Sequence, residues 1–127
     1  MSKRSICISL VLAAFLVVMA VAASGAIAKG RHAPTRVTKT VRGIVTHWSP
    51  TTVRISTGDE IKWRAVSGTH TVTSYGGNWA FNHGLATGQV EDRTFRRAGT
   101  FRFRCTIHST LTNGQCSGMC GKVVVRS

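Results

Sequence analysis

Four side chains in the C-terminal two-thirds of the sequence have the types and spacing to hold a metal ion: His70, Cys105, His108 and Met119. A thiolate, two imidazoles and a thioether form an unusual donor set. Zinc usually takes four strong ligands, whereas two His, one Cys and a weak, long axial Met suit copper in both oxidation states. Imidazole nitrogen accommodates Cu(II) and soft sulfur accommodates Cu(I), so an ion held this way rearranges little when an electron moves. A lone C-x-x-H, as in Cys105-Thr106-Ile107-His108, is weak on its own. It gains weight from a His upstream and from Gly118-Met119 ahead of a Val-rich terminal segment.

The elements that must position these groups show an apolar period of two. Val53 and Ile55 alternate with Thr52 and Arg54; after the turn-like Thr57-Gly58-Asp59, Ile61, Trp63 and Ala65 alternate with Lys62 and Arg64. Strands are also expected over 37–46, 70–74, 90–96, 100–105 and 122–126. In the run over 100–105, Phe101, Phe103 and Cys105 share one face and Arg102 and Arg104 the other, so Cys105 points into the core at the end of a strand. His108 then falls in the following turn, and Met119 just ahead of the last strand. No window of the mature chain holds a helical period. The pattern predicts an all-β, Greek-key β-sandwich of about seven to eight strands.

Residues 1–28 read as a secretory signal peptide: Lys3 and Arg4, eighteen almost wholly apolar residues from Ile6 to Ala23, then Ala26 and Ala28 flanking Ile27. A retained anchor is the competing reading, since the apolar run is just long enough to span a bilayer. Removing the first 28 of 127 residues leaves 99, takes away Lys3, Arg4 and Cys7, and lowers the formal charge from +13 to +11. Residues 29–36 (KGRHAPTR) form a basic, aperiodic lead-in to a domain over 37–127. Export places Cys105, Cys116 and Cys120 in an oxidising space, where thiols pair or bind metal. Ser117-Gly118 permits the chain to fold back, so a Cys116–Cys120 disulfide is expected, with Cys105 left over.

With these residues in view, the chain resembles the cupredoxins, small blue copper proteins of the plastocyanin and azurin type. The resemblance runs through Ser49-Pro50-Thr51-Thr52-Val53, Thr57-Gly58-Asp59-Glu60-Ile61-Lys62-Trp63, Gly68-Thr69-His70-Thr71-Val72, Ala98 to Cys105, and Gly118-Met119-Cys120-Gly121-Lys122-Val123. It implies one copper ion on His70, Cys105, His108 and Met119, a one-electron carrier rather than an enzyme, redox partner proteins, and the His108 edge as the electron port. Three features depart from the family pattern, one being Arg64-Ala65-Val66-Ser67 where many relatives carry an Asn before the first His. Ten residues separate His108 from Met119, more than in plastocyanin-like loops, and Cys116 and Cys120 are additional.

Other function classes fit the residues less well. A zinc module on Cys105, His108, Cys116 and Cys120 has the right ligand count but leaves His70 idle. A copper-trafficking protein would use the same ligands as a carrier. A Cys-His hydrolase needs a poised base and an oxyanion pocket, and a multicopper oxidase needs His-x-His pairs that the five histidines do not form. Export argues against a nucleic-acid partner. His32, His47 and His83 read as surface or turn residues, and Trp48, Trp63 and Trp79 as packing or surface aromatics. Lys62, Arg64, Arg102 and Arg104 all fall on the outward side of their strands, and a field of this sign attracts an acidic partner.

Overall fold

The computed structural model describes Ala33 and residues 35–127. The expected signal segment, Cys7 and His32 lie outside the described residues. Nine strands follow one another: β1 (Thr38–Ile44), β2 (His47–Ser49), β3 (Thr52–Ser56), β4 (Glu60–Ser67), β5 (His70–Tyr75), β6 (Asn82–Leu85), β7 (Val90–Thr94), β8 (Gly99–Thr112) and β9 (Gln115–Arg126). They form two sheets, a four-stranded one in the order β2-β1-β4-β7 and a five-stranded one in the order β3-β9-β8-β5-β6. This is the all-β sandwich that the alternation predicts.

Period-two burial builds the core between the sheets. Ile61, Trp63 and Ala65 of β4 face Phe101, Phe103 and Cys105 of β8, with Val123 and Val125 of β9, and all of these are buried. Trp63 lies at the centre, its ring 5.4 Å from Phe103 and 5.5 Å from Phe81. Its indole N–H has no hydrogen-bond partner. An unmade bond of this kind costs about 1–3 kcal/mol, while burying an indole of some 200 Å² returns roughly 5 kcal/mol at about 25 cal/mol per Å². Packing wins.

Three local expectations change. Strands β2 and β6 are additional to the predicted set; β2 is three residues long and β6 (NHGL) is exposed at all but Leu85, so neither has an alternation to reveal it. β8 does not end at Cys105 but runs to Thr112, and β9 begins at Gln115 rather than at 122, which places His108 within a strand rather than in a turn and Met119 inside the last strand rather than ahead of it. The segment from Ser109 to Gln115 is a continuation of the β8–β9 hairpin, closed by Asn113 and Gly114 at φ of 50° and 77°, the left-handed pair that a two-residue type I′ turn demands. The outward cations also divide. Lys62 and Arg64 project from the four-stranded sheet, and Arg102 and Arg104 from the five-stranded one, so they face opposite sides of the molecule.

At the pole formed by the β3–β4 turn, the Asp59 carboxylate accepts the backbone N–H of Ser56 at 2.8 Å and of Val37 at 2.9 Å. These two bonds, to Ser56 first and then Val37, hold its pKa below the ordinary aspartate value. A carboxyl depressed in the folded state contributes stability above its unfolded pKa and loses it as pH falls through the folded value. Asp59→Asn is therefore expected to unfold more readily than the parent at pH 7, and the gap should narrow as pH drops below about 4. Denaturant melts across that range check this; a gap independent of pH contradicts it.

Candidate metal centre

The β8–β9 ladder is regular from Gly99↔Val125 to Arg104↔Cys120, stops, and resumes from Ser109↔Gly118 to Thr112↔Gln115. Between the two stretches, the four residues Cys105–His108 stand opposite the single residue Met119. This is an enlarged β-bulge, the device by which a strand re-aims side chains without leaving its sheet. It sets Cys105, His108 and Met119 against one another although ten residues separate the last two in sequence.

Side chains replace the missing ladder. On the β5 side, backbone pairing ends at Thr73↔Arg104. There the Thr71 hydroxyl accepts the Thr106 N–H at 2.8 Å, and the Thr71 N–H donates to Cys105 Sγ at 3.4 Å. The Ser109 hydroxyl closes the bulge onto the Cys105 carbonyl at 2.6 Å. Gly118 has a φ of 94°, and a Cβ there would lie 2.4 Å from the His108 carbonyl oxygen. Only glycine lets β9 pass this close beneath His108.

His70 opens β5 and is wholly buried. Its Nε2 lies 2.8 Å from the Ser67 carbonyl. A carbonyl only accepts, so Nε2 carries the proton and Nδ1 keeps its lone pair. That Nδ1 lies 3.9 Å from Cys105 Sγ, and His108 Nδ1 lies 3.4 Å from the same sulfur. The three ligand atoms are all within 4.8 Å of one another. Cys105 is also fully buried, while His108 is only partly so and is the member a partner can reach. Among the described residues this is the one such group of His, Cys, Asp or Glu. Gly43 of β1 makes room for it, since a Cβ there would meet His70 Cδ2 at 2.8 Å.

Met119 is buried beside the bulge, and its carbonyl accepts the Trp48 Nε1–H at 3.2 Å. Trp48 also packs its ring 5.6 Å from that of His70. Met119 shares the inward parity of Gly121, Val123 and Val125; Cys120 has the outward one. Cys116 and Cys120 are joined by a disulfide with a Cα–Cα distance of 6.1 Å, so β9 is bent around Gly118 and Met119 inside a five-residue ring. Cys105 is the free cysteine of the described residues. The pairing removes Cys116 and Cys120 from any zinc set.

The other histidines among the described residues stay apart. His47 is exposed on β2, and His83 lies 3.0 Å from Glu91 and stacks on Phe81 at 4.3 Å. Sequence reasoning missed the parts played by Gly43, Ser67, Thr71 and Gly118. An isolated glycine within a strand pattern, as at Gly43, is a signal for close approach. Thr71 and Ser67 gave no signal, because which strands lie alongside is not written in local periodicity.

The His-Cys-His group, with His70 and Cys105 buried and His108 partly so, sits in a two-sheet β-sandwich whose fold is that of the cupredoxins. Among solved structures, the chain is similar to a proline-to-glycine mutant of amicyanin in its reduced Cu(I) form at pH 4, with a TM-score of 0.57 and 24% identity over 76% of this chain and 87% of that one. It is likewise similar to the oxidized form of another proline-to-glycine mutant of amicyanin, with a TM-score of 0.58 and 24% identity over 80% and 88%. No family model and no curated protein matches the sequence.

Gly118→Ala tests the bulge. The strained φ alone costs about 1–3 kcal/mol, and the contact with the His108 carbonyl adds to it. Denaturant unfolding of the metal-free protein should show at least that loss, with displaced backbone amide signals over 105–109. An unchanged midpoint and spectrum would mean that β9 does not pass under His108 as described.

Proposed function

We propose that this chain is an exported copper protein that carries single electrons, holding one ion on His70 Nδ1, Cys105 Sγ and His108 Nδ1 with Met119 as a weaker fourth ligand. The observation that carries this reading is the convergence of two imidazole nitrogens on one buried thiol, all within 4.8 Å. Copper, when bound to such a set, supplies reversible one-electron exchange between Cu(II) and Cu(I). The remaining contributions come from the chain. Ser67 fixes the His70 tautomer and ring orientation, as second partners of metal-bound histidines do. The Thr71 N–H donates to the sulfur, and hydrogen bonding around that sulfur tunes the potential. His70 and Cys105 are wholly buried, and His108 is the one of the three partly open to solvent.

The donor set supports copper over zinc, because Cys116 and Cys120 are paired and cannot serve as thiolates. Burial of His70 and Cys105 supports an ion that stays in place over one handed between proteins. Export rests on residues 1–28, and the +11 charge of the mature chain supports an acidic redox partner. The outer face of the five-stranded sheet holds Arg54, Arg102, Arg104, Lys122 and Arg126, and Lys122 sits directly across from Arg102. All four carboxylates lie elsewhere, on β4, on β7 or just ahead of β4. Arg104 immediately precedes Cys105, so this basic face adjoins the proposed copper site.

Adding Cu(II) to the purified metal-free protein should produce an intense visible charge-transfer band that bleaches on reduction, and Cys105→Ser should abolish it. Binding without the band, or a band that survives the substitution, contradicts the ligand assignment. With an acidic redox protein the exchange rate should fall steeply as salt rises, and Arg102→Glu with Arg104→Glu should slow it at low salt while leaving the band intact. A rate indifferent to both would show that the basic face does not steer.

A further inference from the structure

Strands β6 and β7 are both sheet edges, and between β7 and the segment leading into β6 the sandwich stays open. The opening is a cleft of about 560 Å³ whose walls include Trp79, Phe81, Phe95 and Phe101 and whose rim includes Arg93, Arg96 and Arg97. It belongs to the pole opposite the candidate metal centre. Phe95 exchanges backbone hydrogen bonds with Gly58 and Asp59 of the β3–β4 turn, and Phe101 precedes Cys105 by four residues of β8, roughly 13 Å of strand.

The walls are built rather than incidental. Trp79 and Phe81 lie 5.7 Å apart with planes inclined by only 11°, and Trp79 Nε1 anchors to the Arg102 carbonyl at 2.9 Å. The Arg93 guanidinium lies 5.7 Å from both ring centroids and donates to the Ala80 carbonyl at 3.2 Å. This stacking fixes its orientation while leaving most of its donors free. Arg96 and Arg97 are exposed, and none of the three arginines forms an ion pair among the described residues. Asp92 is the one carboxylate among the residues that line the cleft. A concave pocket of this size, whose lining joins four aromatic side chains to three arginines, has the form of a small-molecule site.

We propose that this cleft binds a planar organic anion, its ring packed among Trp79, Phe81 and Phe95 and its carboxylate held by Arg93, Arg96 and Arg97. The aromatic side chains supply the apolar contact, and the guanidinium forks match a carboxylate with two parallel N–H···O bonds. An inorganic anion would leave the aromatic walls unused, and a neutral ring would make no ion pair with the three arginines. The site needs no metal, so it stands whether or not the copper reading does.

The probe is 2-naphthoate, titrated calorimetrically into the mature protein, with amide chemical shifts mapping the contact. One saturable site is expected, perturbing residues 79–81 and 92–97. Affinity should fall at least tenfold for the neutral 2-naphthamide and for Arg96→Gln with Arg97→Gln, two exposed positions whose replacement leaves the melting transition in place. Trp79→Leu should weaken naphthoate while leaving sulfate binding unchanged. The proposal is overturned by the absence of saturable binding, by equal affinity for the amide, by sulfate competing as well as naphthoate, or by shifts confined to the basic outer face of the five-stranded sheet.

Discussion

Everything at the candidate metal centre depends on one interruption in a β-ladder. Two strands that pair on both sides of a gap must accommodate four residues on β8 against one on β9. The extra length has to leave the plane of the ladder, and it takes Cys105 and His108 with it. Backbone groups that lose ladder partners in a buried setting need others, and Thr71 and Ser109 supply some of them from either side. Met119, opposite the gap, is held by the Trp48 indole and bracketed by the Cys116–Cys120 disulfide. In the chain-entropy account a five-residue ring is worth only about 2 kcal/mol, so its larger effect is local, on where Met119 can lie.

His70 comes from a different part of the chain and meets this bulge because of the sheet order. β5 lies beside β8, and its first residue falls level with the gap once pairing has stopped at Thr73↔Arg104. The arrangement is ready before any ion arrives: His70 has its proton on Nε2 through Ser67, and its free nitrogen faces the thiol. For the copper ion proposed above, preorganisation of this kind would lower the cost of moving an electron, because the donors need not travel.

Much of the fold was legible from side-chain alternation. Ile61, Trp63 and Ala65, and Phe101, Phe103 and Cys105, read directly as inward faces, and each is buried. The inward direction of Cys105 follows from that register alone. What alternation could not show was the continuation of β8 past His108. Ser109, Thr110 and Thr112 are polar, and the arm they form packs no face on the core, so only Asn113-Gly114 marks it. β6 escaped for the same reason. The split of the cations between two sides of the sandwich was equally hidden, since outward parity is a property of one strand and the side it faces is a property of the sheet.

The most direct test of the central claim is X-ray absorption at the copper edge of the loaded protein in both oxidation states. One short sulfur and two imidazole nitrogens are expected around the ion, nearly unchanged between Cu(II) and Cu(I), with loss of the sulfur in Cys105→Ser. A shell of nitrogen and oxygen alone, two sulfurs at short distance, or a ligand set rebuilt on reduction would contradict it.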